Sequence, residues 1–335
     1  MPALSAIVTT LTQTKLLPKV IDVVLNGNVL AMRLMSKART WNGGTSIEIP
    51  INISAYTQLG SYSGFDTFST TQQNTRVRAT ANPSQVYCTV NLSGIQLAVN
   101  RGEEAVLDLV ATELEQRGKD LSDEMGTQLY GDGTGNLSKD FLGLQAAVDD
   151  STSVTTYLNI SRATYTNWRA TRTAQSGSLS LADLAADFDA AQVGSDLPTI
   201  MITSPACWSL YEALLTPTVS HMMRPSEYRL TPEGSRPLDN LGANQGFRAL
   251  AFRGIPVVSD EKCTAANLYT LNENHLNFYT IPAAPAMGYS MKNGFIWTGF
   301  RQPINQDAVS GALLYYGQLI CDSPRTQARR TGITS

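Results

Sequence analysis

Apolar residues recur at helical spacing between residues 101 and 130. Val106, Val110, Leu114, Leu121, Met125 and Leu129 fall on one stripe, the period of an amphipathic helix. Asn100 stands before it as an N-cap, with Glu103 three positions on, an approximate capping box. The other faces carry eight acids (Glu103, Glu104, Asp108, Glu113, Glu115, Asp120, Asp123, Glu124) against three bases, Arg101, Arg117 and Lys119. Burying each stripe side chain contributes roughly 1.5–3 kcal/mol, whereas a cap is worth about 1 kcal/mol. Packing must therefore hold this helix along its whole length. About 30 residues at 1.5 Å each span about 45 Å, against a radius of gyration of roughly 20 Å for a compact globule of this size. The pattern predicts a flat or elongated body built on a spine. The spine ends in the glycine-rich turn 131–136, where positive φ is expected, and is followed by the apolar segment 141–148.

Two further stretches alternate with period two, the mark of half-buried strands. In 46–54, Ile47, Ile49, Ile51 and Ile53 share one face and Glu48, Pro50 and Asn52 the other. In 86–93, Val86, Cys88, Val90 and Leu92 oppose Tyr87, Thr89, Asn91 and Ser93. We read them as a hairpin, with Pro50 making the first an edge or bulged strand. The residues between them are mostly Ser, Thr, Gln, Asn and Gly. A two-stranded hairpin is marginal alone, and so long a connection is unusual inside a compact domain. It is either a mobile surface loop or a projecting arm whose apolar face another subunit completes.

The rest of the chain is less sharply patterned. Residues 1–14 read as an extended arm. Leu16, Val20, Val24, Leu30 and Leu34 suggest a helix over 15–35 interrupted near Gly27, with Pro18 in its first turn. Residues 151–281 read as mixed α/β. Helices are expected at 180–191 and at 204–215, the latter opening on Ser204-Pro205. Strands are expected at 199–203, 267–271 and 276–281, with a long loop at 216–245 and a hairpin at 247–260. Strands at 289–292, 295–300 and 312–321 follow.

The chain has 335 residues, room for two or three domains with sizeable cores. Only 16% are charged, against about 25% in ordinary soluble chains, which suits a protein that hides surface against partners. A net charge of −3 provides no global basic field for nucleic acid. The ends are basic, however. Lys15, Lys19, Arg33, Lys37 and Arg39 face Asp22 alone in the first 46 residues, and Arg325, Arg329 and Arg330 follow Asp322 with no acid. Cys88, Cys207, Cys263 and Cys321 lie far apart without a CxxC, as core thiols of a reducing compartment do. No secretory signal stands at the N-terminus, and no stretch of 18 apolar residues could span a membrane. Maturation in a cytoplasm is expected.

Catalytic patterns are missing. His221 and His275 each stand alone, outside any HExxH or Cys/His cluster. Residues 60–64 have the outline of a GxSxG elbow, but Tyr62 occupies the nucleophile slot within a polar stretch. The turn 131–136 follows a helix rather than a strand and lacks the Lys-Ser/Thr ending of a phosphate loop; it also departs from the calcium-loop pattern. We expect no enzyme, no cofactor and no metal.

Several segments resemble the major capsid proteins of tailed bacteriophages, the Hong Kong 97-type fold. They are 130–136 (Tyr-Gly-Asp-Gly-Thr-Gly-Asn) followed by Phe141-Leu142-Gly143-Leu144, the stretch 161–169 (Ser-Arg-Ala-Thr-Tyr-Thr-Asn-Trp-Arg), and 246–260 with Gly246-Phe247, Leu250 and Phe252-Arg253-Gly254-Ile255-Pro256-Val257-Val258. The likeness lies in their order and spacing over nearly the whole chain, no single motif being specific. It implies an α+β fold with an N-terminal arm (1–43), an E-loop hairpin (44–97), a spine helix and peripheral domain (98–150), an axial domain (151–281), and return strands with a C-terminal tail (282–335).

The resemblance further implies self-assembly through hexamers and pentamers into an icosahedral head around double-stranded DNA, in a virion assembled in the host bacterial cytoplasm. A portal and separate scaffolding or cementing proteins would be partners, and no membrane. The isoleucines of 46–54 with Val86, Val90 and Leu92 would form the intersubunit E-loop. The eight basic residues of the two ends would face DNA or an acidic partner. Fewer than fifty residues precede the E-loop, so a fused scaffolding domain is not expected. Some relatives weld the E-loop to a neighbour through a lysine isopeptide bond; no lysine occurs between Lys37 and Lys119, so no such bond is expected from this loop. An encapsulin-like nanocompartment shell is the alternative, with the same fold.

Overall fold

The computed structural model describes residues 28–41, 43–99, 103–219, 249–282, 287, 289–292 and 294–334. The arm 1–27, the expected cap at Asn100 and residues 220–248 lie outside them. The first described elements are α1 (Val29–Ser36) and a two-residue strand β1 (Arg39–Thr40). Next come β2 (Ile47–Asn52), β3 (Arg76–Ala81) and β4 (Ser84–Ser93). A short α2 (Gly94–Val99) precedes the spine, α3 (Glu103–Tyr130).

The spine has 28 residues, about 42 Å at 1.5 Å each. Val110, Leu114, Leu121, Met125 and Leu129 are each 1% exposed; the side chain of Val106 lies outside the description. The helix runs along β4, and α1 packs on it. The approach is closest at Gly126, where a Cβ would stand 2.0 Å from Asn28 Nδ2 and 2.9 Å from Lys262 Cγ. At the end of the spine, the Tyr130 hydroxyl donates to Asp260 Oδ2 (2.9 Å). The same oxygen accepts the Leu30 amide at 3.2 Å, an anion at the N-terminus of α1. The other, Oδ1, accepts the Lys262 amide at 3.0 Å. One buried carboxylate thus joins α1, the spine and the segment after residue 259. Burial, then the Asp260 charge, pushes the Tyr130 hydroxyl well above its ordinary pKa.

The turn after the spine is tighter than its glycines alone suggest. Gly133 has φ +83°, but Asn136, Leu137 and Ser138 are left-handed as well, at +49°, +61° and +61°. Gly143 is required for a different reason. A Cβ there would meet the carbonyl oxygens of Gln128, Gly131 and Leu129 at 2.5–2.6 Å, so the chain passes directly under the spine's last turn. It continues as α4 (Leu144–Ala147), with Phe141, Leu144, Ala146, Ala147 and Val148 fully buried. Arg162 closes this region. Its guanidinium is fully buried and donates to the carbonyls of Ala146 (2.7 Å), Ala147 (2.8 Å), Val154 (3.0 Å) and Trp168 (3.3 Å).

After a small hairpin, β5 (Thr156–Tyr157) and β6 (Ile160–Ser161), come β7 (Thr171–Ala174), α5 (Leu181–Ala191), β8 (Ile200–Thr203) and α6 (Pro205–Val219). Ser180 caps α5 in a capping box with Asp183. Pro205 opens α6 as expected, but the Ser204 hydroxyl finds no partner among the described atoms. The remaining strands are β9 (Ala249–Phe252), β10 (Ile255–Ser259), β11 (Leu268–Leu271), β12 (Leu276–Thr280), β13 (Ser290–Lys292), β14 (Phe295–Trp297), β15 (Ala308–Cys321) and β16 (Ala328–Thr331). The β9–β10 turn is Arg253-Gly254 with both φ positive (+48° and +84°), which matches the twist of a two-residue hairpin.

Two six-stranded sheets organise the molecule. In the first, the 14-residue β15 is central. It pairs with β4 along Ala308–Gly317, and its other edge carries β14 and β12. This corrects the expected hairpin. The partner of β2 is β3, with Ile47 opposite Ala81 and Asn52 opposite Arg76, while β4 belongs to the long sheet. Val86, Val90 and Leu92 are therefore covered by their own chain and are not E-loop contacts. The reason is pairing at long range: β15 offers ten ladder positions, more than a short hairpin can.

The second sheet has the order β7-β16-β11-β8-β10-β9. It is buried on both faces, which explains the unbroken apolar run of β8. Met201, Val257 and Leu268 face Leu184 and Phe188 of α5 and Tyr211 of α6. Ile200, Ile202, Val258, Tyr269 and Leu271 join the central core under the spine. The chain crosses between sheets at 272–275 and again at 322–327. Two expected boundaries therefore move: β12 lies in the first sheet, not in the α/β unit 151–281, and the tail enters the second sheet as β16.

Candidate intersubunit interface

The root of the short hairpin is built into the core. Ile47, Ile51 and Ile53 are 1%, 9% and 5% exposed, and Ile49 is half-buried. Ala79 and Ala81 complete the inner face from β3. The β5–β6 turn props this root: the Thr80 amide donates to Leu158 O at 3.0 Å, and the Asn159 amide donates to Thr80 Oγ1. Asn167 Nδ2 donates to Ile53 O at 3.4 Å. The isoleucines are thus satisfied within one chain, and their face is not left for a neighbour to complete.

The loop beyond the root is the opposite case. After Ile53 N–Thr75 O (2.9 Å), residues 55–75 carry no regular structure and stand almost wholly in solvent. Their apolar side chains are exposed: Tyr56, Leu59 (79%), Tyr62, Phe65 (105%) and Phe68. Internal order is local. Gln73 bridges to Thr57 through Nε2–Oγ1 (2.6 Å) and through Oε1, which accepts the Thr57 amide (3.0 Å). Asp66 Oδ2 accepts the Ser63 amide at 2.8 Å, and the rings of Tyr62 and Phe68 meet edge to face at 4.9 Å. An exposed apolar cluster on an extended loop is the mark of an association surface. It was legible as a long polar connection but not as this cluster, because its apolar residues have no period.

The basic residues of the two ends separate into four groups. Lys15 and Lys19 lie outside the described residues. Arg33 is engaged: its Nε and Nη2 hold Glu273, the latter at 2.5 Å, and Lys37 Nζ reaches the same carboxylate at 3.5 Å. Burial pushes the Glu273 pKa up, but the Arg33 hydrogen bonds and charge outweigh it, so the carboxyl titrates below its ordinary value. Arg39 and Arg325 are exposed.

Arg329 and Arg330 contradict the expected DNA-facing tail. Both are buried in β16. Arg329 stacks over the Tyr269 ring at 5.6 Å. Arg330 grips Asp187 of α5 in two bonds, Nε–Oδ2 (2.7 Å) and Nη2–Oδ1 (2.9 Å), and reaches Asp183 at 3.1 Å. Burial holds Asp187 above its ordinary pKa despite Arg330. The tail is locked because desolvated carboxylates of α5 need a planar cation.

The acidic face of the spine is partly neutralised. Arg117 pairs with Asp120 (2.8 Å) and Glu113 (3.7 Å), and Lys262 with Asp123 (3.0 Å). Among the described residues no group of three His, Cys, Asp or Glu side chains could hold a metal, and no helix is long and apolar enough to cross a membrane. His275 sits between two carboxylates, Asp322 at 2.8 Å and Asp196 at 3.5 Å, at the crossing between sheets; His221 is outside the description. Tyr62 of the GxSxG-like stretch stands in the exposed loop, and Asp132 of the glycine turn accepts from its own Thr134. The four cysteines are free thiols, three of them buried.

The architecture has solved counterparts. A chain of the capsid asymmetric unit of cyanophage A-1(L) superposes with a TM-score of 0.65 at 20% identity, over 90% of this chain and 92% of that one. A chain of Mycobacterium phage Adephagia matches with a TM-score of 0.51 at 11% identity, over 90% of each chain. No protein-family model matches the sequence, and neither does any curated protein.

Proposed function

We propose, taking the α+β, Hong Kong 97-type capsid fold of the chain as the premise, that it is the major subunit of a bacteriophage head. Copies join through hexamers and pentamers into an icosahedral shell around double-stranded DNA, in the host bacterial cytoplasm. The role is structural and not catalytic. The observation that carries the reading is the exposed loop 55–75, whose two phenylalanines, two tyrosines and leucine stand in solvent apart from the contact of Tyr62 with Phe68. Each such side chain contributes roughly 1.5–3 kcal/mol when buried, so even two per contact, repeated around a ring, suffice to drive closure. Four free thiols suit a reducing cytoplasm. With no lysine between Lys37 and Lys119, the loop acts through non-covalent contacts or with a separate cementing protein; a portal is a further partner, and scaffolding is either a separate protein or absent. Arg39 and Arg325, with Lys15 and Lys19, are the candidates for facing DNA phosphates.

Electron microscopy of the purified chain, with nuclease-protected nucleic acid measured in particles from infected cells, tests this. Closed shells and protected DNA are expected. Shells with protein cargo and no DNA would replace the reading with a nanocompartment; a persistent monomer would end it.

A further inference from the structure

We infer that His275 is a proton-gated tie. With a proton gained, it fastens the turn 193–196 of the α/β unit to both crossings between the sheets; with the proton lost, it releases that turn. The device belongs to the single chain, so its failure is separate from failure of the shell reading.

The ring lies where the two crossings meet. The short helical turn Glu273–His275 leads from β11 to β12, and Asp322 opens the return from β15 to β16. Asp322 N donates to His275 O at 3.1 Å, so the crossings touch through their backbones. The side chains add a third element. His275 Nδ1 stands 2.8 Å from Asp322 Oδ1, and Nε2 stands 3.5 Å from Asp196 Oδ2. Asn277 of β12 holds Asp322 in place, its Nδ2 donating to Oδ2 at 3.1 Å. Asp196 closes the turn after α5, where Val193 and Asp196 exchange both backbone bonds, at 3.1 and 3.0 Å.

A carboxylate on each ring nitrogen makes the arrangement depend on charge. Ionised carboxylates only accept, and a neutral imidazole has one N–H. That N–H serves the shorter contact, Asp322, and leaves the Nε2 lone pair facing the Asp196 oxygen. An imidazolium donates from both nitrogens and attracts both carboxylates. The Asp196 contact is therefore the half that a proton makes, and the Asp322 contact is the half that persists. Histidines ordinarily change charge between about pH 5 and pH 8, a range in which carboxylates are ordinarily ionised.

The other charges around the ring leave this range clear. Glu273, in the same turn, is engaged by Arg33 and Lys37 and titrates below the ordinary carboxylate value. Arg325, from the return crossing, lines a pocket with Asp322, and an arginine is cationic throughout. Burial pushes the thiol of Cys321, next to Asp322, up and out of the range. His275 is the one histidine among the described residues; His221 lies outside them.

The test uses the unassembled full chain in a His221→Gln background. Urea unfolding at pH 5.5 and pH 8 is compared for that chain and for His275→Gln, Asp196→Asn and both together. The double-mutant cycle should show a coupling of about two- to five-fold in the unfolding constant at pH 5.5, the range of partly exposed ion pairs, and none at pH 8. Equal coupling at the two pH values, or none at either, overturns the tie. Hydrogen exchange provides a second reading that needs no change at position 275. Corrected for intrinsic rates, the Val193 and Asp196 amides should open about two- to five-fold less at pH 5.5 than at pH 8, and Asp196→Asn should erase the difference. Opening that is the same at both pH values, or a difference that survives Asp196→Asn, overturns the tie as well.

Discussion

Strand β16 carries adjacent arginines and lies inside the second sheet; loop 55–75 carries five large apolar side chains and lies in solvent. Each inverts the ordinary relation between polarity and burial, and for opposite reasons. The arginines have partners within one chain, two carboxylates of α5 for Arg330 and an aromatic face for Arg329. The loop residues have little beyond one another, Tyr62 against Phe68, and stand in solvent. Burial follows from whether partners exist, and on the proposed shell reading the loop's come from another copy.

This contrast can be broken in graded steps. Arg330→Ala leaves Asp187 buried without its cation, at a cost of about 3–5 kcal/mol; the denaturation midpoint of the unassembled chain should fall sharply. Leu121→Ala in the spine opens a cavity and should cost about 2–5 kcal/mol by the same measurement. Gly143→Ala forces a Cβ onto three carbonyls and should cost about 1–3 kcal/mol.

A smaller, pH-dependent effect belongs to Glu273. Its pKa in the folded chain lies below the ordinary carboxylate value, so the folded state binds fewer protons. Its contribution is present above about pH 4.3, the unfolded value, and is lost as pH falls through the folded pKa. Arg33→Ala should lower stability at neutral pH and flatten its decline on acidification, read from urea midpoints at pH 7 and pH 3. Last, Phe65→Ala should change the stability of the unassembled chain by no more than about 0.5 kcal/mol, while weakening assembly.

The spine was legible because Val110, Leu114, Leu121, Met125 and Leu129 repeat at one period and that period is local. Strand β3 was not: its inward residues are Val77, Ala79 and Ala81, between arginines and a threonine, and alanine carries little strand signal. Missing it misassigned β4, whose partner β15 lies more than two hundred residues away. The tail failed for want of a partner list. Asp183 and Asp187, four apart on α5, were the one local trace of a buried cation, and nothing in the sequence linked them to Arg330. The loop was recognisable by composition, but its exposure is a property of the folded surface and not of any pattern along the chain.

The most direct test compares sedimentation of the unmodified chain with a Tyr62→Ser, Phe65→Ser, Phe68→Ser variant, both shown to unfold at the same temperature before assembly. The account predicts megadalton particles for the first and small species for the second. Equal assembly of the two would contradict it, because the loop would then be no more than solvated surface.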